Sequence, residues 1–342
     1  MGVDMPSGKK GQQAPGRETI DKLAAGIYPS LAMLAGMELE IFTALGKGTQ
    51  NSKEMASTLG VPERRLQPLL YALVAAGLLT LDNGGFANTP ESQHYLVKGT
   101  PAFIGNLHIR YRIWWEAVLQ TAATIREDRP VAGLDFSTLS PDEIRKDFSS
   151  RDSGNRAAGR ALAKQFNFSQ FKSLADVGGA AGSLALGASE VCPDLRVSLV
   201  DLPSTAAVAR DYLIEKGDAD RMEVIAADIT SGPLSARFDV AVMRNLIQVL
   251  SPEQARLAIM NVGQALEPGG MLLVIGHVVD DTRLSPPDIV SYGLVFINLY
   301  QDGGAYTEGE YRNWLTGAGL SNIERHLQPD STSVIVARKA DH

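Results

Sequence analysis

LADVGGAAG, residues 174–182, decides how the second half of this chain is read. An apolar run reaches Asp176, and Gly178, Gly179 and Gly182 then crowd a tight turn before a helical stretch begins. Glycines at such a turn let the backbone approach a ligand closely, and the helix start offers free N–H groups. Gly-rich turns of this kind also occur for packing alone. The dinucleotide fingerprint needs glycines at relative positions one, three and six. Here they stand at 178, 179 and 182, with Ala180 and Ala181 between them, so that fingerprint is absent.

Further along, short apolar runs alternate with helical stretches: SLADVGG, LRVSLVDLP, MEVIAAD, FDVAVMR, GMLLVIGHVV and SVIVARK. Strands alternating with helices predict an α/β domain whose mostly parallel sheet carries helices on both faces. Asp201 closes the second run, 19 residues beyond Gly182, where a carboxylate can accept two ribose hydroxyls. Asp228 closes the third, where it can accept from an adenine amino group.

The first half is different. IDKLAAGIYPSLAMLAGMELEIFTAL is apolar on more than one face, as a helix covered by a partner is. NSKEMASTLG and VPERRLQPLLYALVAAGLL read as two helices around a turn at Gly60, and LLTLDNGGFANT as a hairpin with Asn-Gly-Gly at its tip. Helix, turn, helix and wing can bind DNA. The second helix has Arg64 and Arg65 but is otherwise strongly apolar, which favours dimerisation or packing. The expected divisions are a disordered tail over 1–18, a helical winged-helix domain over 19–115, connecting helices over 116–165 and the α/β domain over 166–342.

Bulk properties narrow the function. A net charge of −7 argues against a large nucleic-acid surface. Cys192 is the only cysteine, which precludes an intramolecular disulfide and suits a reducing cytoplasm. No apolar run is long enough to suggest a membrane span. The five histidines, at 94, 108, 277, 326 and 342, show no metal-ligand spacing with one another or with Cys192.

LADVGGAAG resembles the acidic-x-Gly-x-Gly-x-Gly loop of class I S-adenosylmethionine (SAM) methyltransferases, with Ala180 in place of the middle glycine. Together with VDLP, AAD, the 243–254 segment MRNLIQVLSPEQ, ALEPGG and GGAYTEGEYRNWLTGAGL, it follows the order of the O-methyltransferase family that includes plant caffeate-type and bacterial tailoring enzymes. The resemblance implies an N-terminal winged-helix dimerisation domain, a C-terminal Rossmann-like domain, SAM as methyl donor, S-adenosylhomocysteine as product and a homodimer. It assigns cofactor binding to Asp176, Gly178, Gly179, Gly182, Asp201 and Asp228. Arg244 falls where the family keeps a Lys or Arg near the methionine moiety.

The family base is a His in a Leu-His-Asp-Trp segment. Matching Asn245-Leu246 and Glu253-Gln254 puts Gln248 on that His, Val249 on the Asp and Leu250 on the Trp. Two assisting glutamates fall near Gly276 and Ala305, and His277 is one residue from the first. A general base contributes about 10²–10⁴-fold, a loss that a thioether acceptor never feels. Gln248 is then a substrate-orienting residue.

HIRYRIWWEA, residues 108–117, brings Arg110, Tyr111, Arg112, Trp114 and Trp115 together, with Arg110 and Trp114 sharing one helix face and Tyr111 and Trp115 another. These residues, with Tyr292, Phe296 and Asn298, are the candidate acceptor pocket, and an Arg there suits a carboxylate. A buried aromatic face with snorkelling arginines is the other reading. The chain looks most like the bacterial 4-methylthio-2-hydroxybutyrate S-methyltransferases of dimethylsulfoniopropionate synthesis, which implies S-methylation without a base. Two alternatives stay open: O- or C-methylation of an aromatic metabolite, and SAM binding without methyl transfer.

Overall fold

The apolar opening segment forms α1 (Glu18–Glu38) and α2 (Ile41–Ala44). The computed structural model describes residues 15–100, 102–104, 107–134, 138–328 and 330–341. Residues 1–14 of the expected tail lie outside the described residues. The chain divides into two units, Met1–Ile104 and Gly105–His342.

In the first unit, α3 (Ser52–Leu59) starts where Asn51 and Glu54 exchange side-chain and backbone hydrogen bonds, and it ends at Gly60 in the left-handed conformation. α4 (Glu63–Ala75) buries Leu66, Leu70 and Leu73. β1 (Leu79–Asp82) and β2 (Gly85–Asn88) pair across Asn83 and Gly84, both at positive φ, the turn whose twist matches a hairpin. α5 (Pro90–Tyr95) closes the unit. The helix–turn–helix–wing order is therefore as read. The N-terminal half of α1 is different: every residue from 18 to 29 is exposed, Ile20, Leu23, Ile27 and Tyr28 among them.

The second unit opens with α6 (Leu107–Val118), α7 (Thr121–Glu127) and α8 (Pro141–Gln165). It continues β3 (Ser173–Val177), α9 (Ser183–Val191), β4 (Arg196–Asp201), α10 (Pro203–Lys216), β5 (Met222–Ala226) and β6 (Phe238–Arg244). After these come α11 (Pro252–Gln264), β7 (Leu266–Gly276), β8 (Val278–Val279), α12 (Pro287–Leu299) and β9 (Tyr306–Thr307). α13 (Glu308–Gly317), β10 (Leu320–Leu327) and β11 (Ser333–Lys339) complete it. Sequence reading ended the first domain at 115. In the structure α6 belongs with the second unit, because Trp114, Ala117 and Val118 pack on Tyr292, Val295 and Leu299 of α12.

The main sheet has the order β10-β11-β7-β6-β3-β4-β5. β5, β4, β3, β6 and β7 are parallel, while β11 runs antiparallel to β7 and β10. Both faces are covered, which is why these strands read as unbroken apolar runs. Leu174, Leu199, Val240 and Val242 face one core, shared with α8, α9 and α10. Ala175, Val177, Val200, Ala241 and Met243 face the other, shared with α11 and α13. The chain winds outward from β3 to one side and resumes at β6 on the other. Such a switch point opens a crevice at the strand C-termini, where ligands bind in open α/β sheets.

Candidate active site

The ends of β3, β4, β5 and β6 meet at that crevice. After β3 the chain turns through Gly178 (φ 68), Ala180 (φ 57) and Gly182 (φ 69) into α9. A Cβ on Gly182 would stand 2.3 Å from the Met222 sulfur, and one on Gly179 would stand 2.4 Å from the Asp176 carboxyl carbon. Gly179 thus leaves room for the buried Asp176 carboxyl, and Gly182 is favoured by its left-handed φ. Asp176 is 1% exposed and accepts from the Ala185 N–H at 3.3 Å. Burial lifts its pKa to about 7, with the neighbouring Asp201 charge adding to the rise. Asp176 lies buried beneath the loop and holds the first turn of α9.

Asp201, at the end of β4, accepts from the Ala180 N–H at 2.8 Å on one oxygen and the Leu202 N–H at 2.8 Å on the other, and the Thr205 hydroxyl is a third donor. Burial raises its pKa while these three donors oppose the rise, and the carboxylate keeps acceptor capacity for a hydroxyl donor. A ribose hydroxyl fits that acceptor. Asp228 lies two residues beyond β5, exposed, with its carboxylate engaged by Thr230 N–H at 2.9 Å, Thr230 hydroxyl at 2.7 Å and Ser231 hydroxyl at 2.6 Å. It holds its own turn, and one oxygen retains capacity towards an amino group. Arg244 ends β6 and donates to Asn155 of α8. Burial lowers the Arg244 pKa while the Asp176 charge opposes that.

Gln248 is turned inward. It is 2% exposed, its amide reaches the His277 carbonyl at 3.4 Å, and its Oε1 has no hydrogen-bond partner. A Cβ on Gly276 would lie 1.8 Å from the Gln248 amide nitrogen, so the loss of a side chain at 276 and the presence of Gln at 248 fit together. His277, between β7 and β8, stands 4.4 Å from Tyr292, ring centroid to ring centroid. Its Nδ1 is buried without a partner, and burial holds its pKa below 6.5.

Tyr292 is the hub of the aromatic residues. Its ring lies 5.3 Å from Trp114 and 5.2 Å from Phe296, both edge-on. Tyr111 stacks on Trp115 at 5.7 Å, and the Arg110 guanidinium carbon lies 5.6 Å from the Trp114 ring centre. Two expected lining residues are corrected. Arg112 is exposed and pairs with Glu116 at 3.0 Å on the outer side of α6. Asn298 is wholly buried, bonded to Thr121, Thr124 and the Leu294 carbonyl, so it ties α12 to α7.

Sequence reading missed a contribution from α8. Asp147, Arg151 and Asn155 stand on one face of that helix, four residues apart. Asp147 pairs with Arg151 and, at 3.5 Å, with Arg110 of α6. The four-residue spacing of polar groups was the available signal. A cavity of about 560 Å³ opens elsewhere, beside Gln165, Phe166, Glu324, His326 and Arg338, and no strand-end residue lines it. No group of metal-binding side chains occurs among the described residues, and none of the described helices is long and apolar enough to cross a membrane.

Comparison with known proteins agrees with this geometry. The O-methyltransferase domain family matches residues 134–321, and the O-methyltransferase dimerisation domain matches residues 22–98. The 3-hydroxy-5-methyl-1-naphthoate 3-O-methyltransferase of Streptomyces sahachiroi is 29% identical over 93% of this chain and 94% of its own length. The tetracenomycin polyketide synthesis 8-O-methyl transferase of Streptomyces glaucescens is 26% identical over 93% of this chain and 95% of its own. Human N-acetylserotonin methyltransferase, solved in complex with SAM, superposes with a TM-score of 0.80 at 22% identity, covering 98% of this chain and 100% of that one. These relatives lend no support to S-methylation of 4-methylthio-2-hydroxybutyrate and favour the aromatic-acceptor alternative.

Proposed function

The chain belongs to the O-methyltransferase family, and from that premise we propose that it methylates a ring hydroxyl of a flat aromatic small molecule. It is a SAM-dependent methyltransferase; the acceptor is what the proposal adds. The observation that carries it is the set of rings around Tyr292, with the unpartnered His277 Nδ1 at its end. Edge-to-face aromatic walls suit a planar acceptor. The naphthoate and tetracenomycin relatives are named as O-methyltransferases, in keeping with such a substrate.

When bound, SAM supplies an electrophilic methyl group on a sulfonium sulfur. The residues suited to hold it are Asp201 at the ribose, Asp228 at the adenine amino group, the Gly178–Gly182 loop, and Arg244 near the methionine part. His277 replaces the family base. Burial disfavours its charged form, so the imidazole is neutral at neutral pH and Nδ1 accepts the hydroxyl proton as that oxygen is methylated. Gln248 positions it through the His277 carbonyl. Two copies of the chain pair through the exposed apolar half of α1, within the matched dimerisation domain.

The test is S-adenosylhomocysteine release by the purified protein with hydroxylated naphthalenes and phenols, beside 4-methylthio-2-hydroxybutyrate. Turnover with ring hydroxyls is expected. Turnover with the thioether alone would overturn the proposal and restore S-methylation.

A further inference from the structure

Arg110 comes from α6 and Arg151 from α8, and both guanidiniums converge on one carboxylate, Asp147. Among the described residues Asp147 is the ion-pair partner of both. The Arg151 Nε is buried with no hydrogen-bond partner. A third guanidinium, Arg244, is hydrogen-bonded to the neutral Asn155, with the Asp176 charge acting on it from beneath the loop. Unsatisfied charged donors out of water are costly. A site that keeps them has donors in reserve for an anion, and the planar guanidinium fork matches a carboxylate in two-point fashion.

Position narrows which anion. Arg110 lies over Trp114, Trp114 meets the edge of Tyr292, and Tyr292 meets His277. The cationic pair and the base therefore flank the same aromatic rings. Burial brings Arg151 down to about 9, with the Arg110 charge adding to that fall and the Asp201 charge opposing it.

We infer that Arg110 and Arg151 form a carboxylate site for the acceptor, so that the preferred substrate is an aromatic hydroxy acid and not a neutral phenol. This rests on the aromatic O-methylation reading above. A ligand with its hydroxyl at His277 and its carboxylate at the arginines satisfies the Arg151 donor, which a neutral phenol leaves unpaired. The methionine carboxylate of the cofactor offers the same chemistry from a second source, and the experiment separates the two.

The experiment compares 3-hydroxy-1-naphthoate with 2-naphthol, which differ only in the carboxylate. A kcat/KM about 10- to 100-fold higher for the acid is expected, the scale of one charge-assisted hydrogen-bonded pair. Arg110→Met and Arg151→Lys should each cut that acid-to-naphthol ratio, chiefly by raising KM for the acid. The dissociation constant of S-adenosylhomocysteine, measured by calorimetry on the same variants, reports both folding and cofactor binding. If it rises as much as the acid KM does, the arginines serve the cofactor carboxylate and the inference falls. Equal turnover of acid and naphthol by the wild type also overturns it, while leaving aromatic O-methylation intact. No turnover of either removes the O-methylation reading itself.

Discussion

Ala180 holds φ 57, a left-handed conformation that costs an alanine about 1–2 kcal/mol and a glycine almost nothing. Its N–H is fixed on Asp201, so the loop cannot relax without losing that bond. Ala180→Gly keeps the N–H and removes the strain. It should raise stability by roughly 1 kcal/mol, read as a Tm about 2–4 °C higher; a lower Tm would show that the loop bears no such strain. His277 makes a second prediction. Its pKa lies below 6.5 because burial disfavours the imidazolium. A neutral base is lost by protonation, so kcat should decline only as pH falls below the ordinary imidazole range. His277→Ala should lower kcat about 10²–10⁴-fold and abolish that acid limb. If the limb persists in the variant, the base is another group.

At the scale of elements, the site depends on how closely α8 approaches α9. A Cβ on Gly187 of α9 would stand 2.1 Å from the Arg156 carbonyl of α8, and one on Gly159 of α8 would stand 1.9 Å from the Leu184 carbonyl. This contact sets the helix that carries Asp147, Arg151 and Asn155. Gly187→Ala should push α8 outward, lower stability by about 1–3 kcal/mol and weaken S-adenosylhomocysteine binding. Gly154→Ala serves as the control. That position is in α8 with nothing within 4 Å, so alanine there should stabilise by roughly 0.5–1 kcal/mol. If both variants behave alike in melting and calorimetry, the close crossing is not what places the site.

For the whole molecule, the first half of α1 exposes apolar side chains in a run. Ile20, Leu23 and Tyr28 are each about two-thirds exposed or more, at 68%, 74% and 69%. Leu23→Asp together with Ile27→Asp should convert a dimer to a monomer in sedimentation velocity, and a monomeric wild type would sink the pairing. The α/β domain and the strand-end residues were legible in the sequence. Parallel strands covered on both faces must be continuous apolar runs, and their topology alone sends Gly178, Asp201 and Arg244 to one edge. Side-chain direction was not legible. Asn298 and Phe296 are two residues apart on α12, yet Phe296 packs on Tyr292 and Asn298 bonds to α7. Arg110 and Arg112 differ in the same way on α6. The convergence of Arg151 with Arg110, and the inward turn of Gln248 beside Gly276, depend on contacts between segments far apart in the chain. Local periodicity specifies which residues share a face of one element. Only packing decides what that face meets.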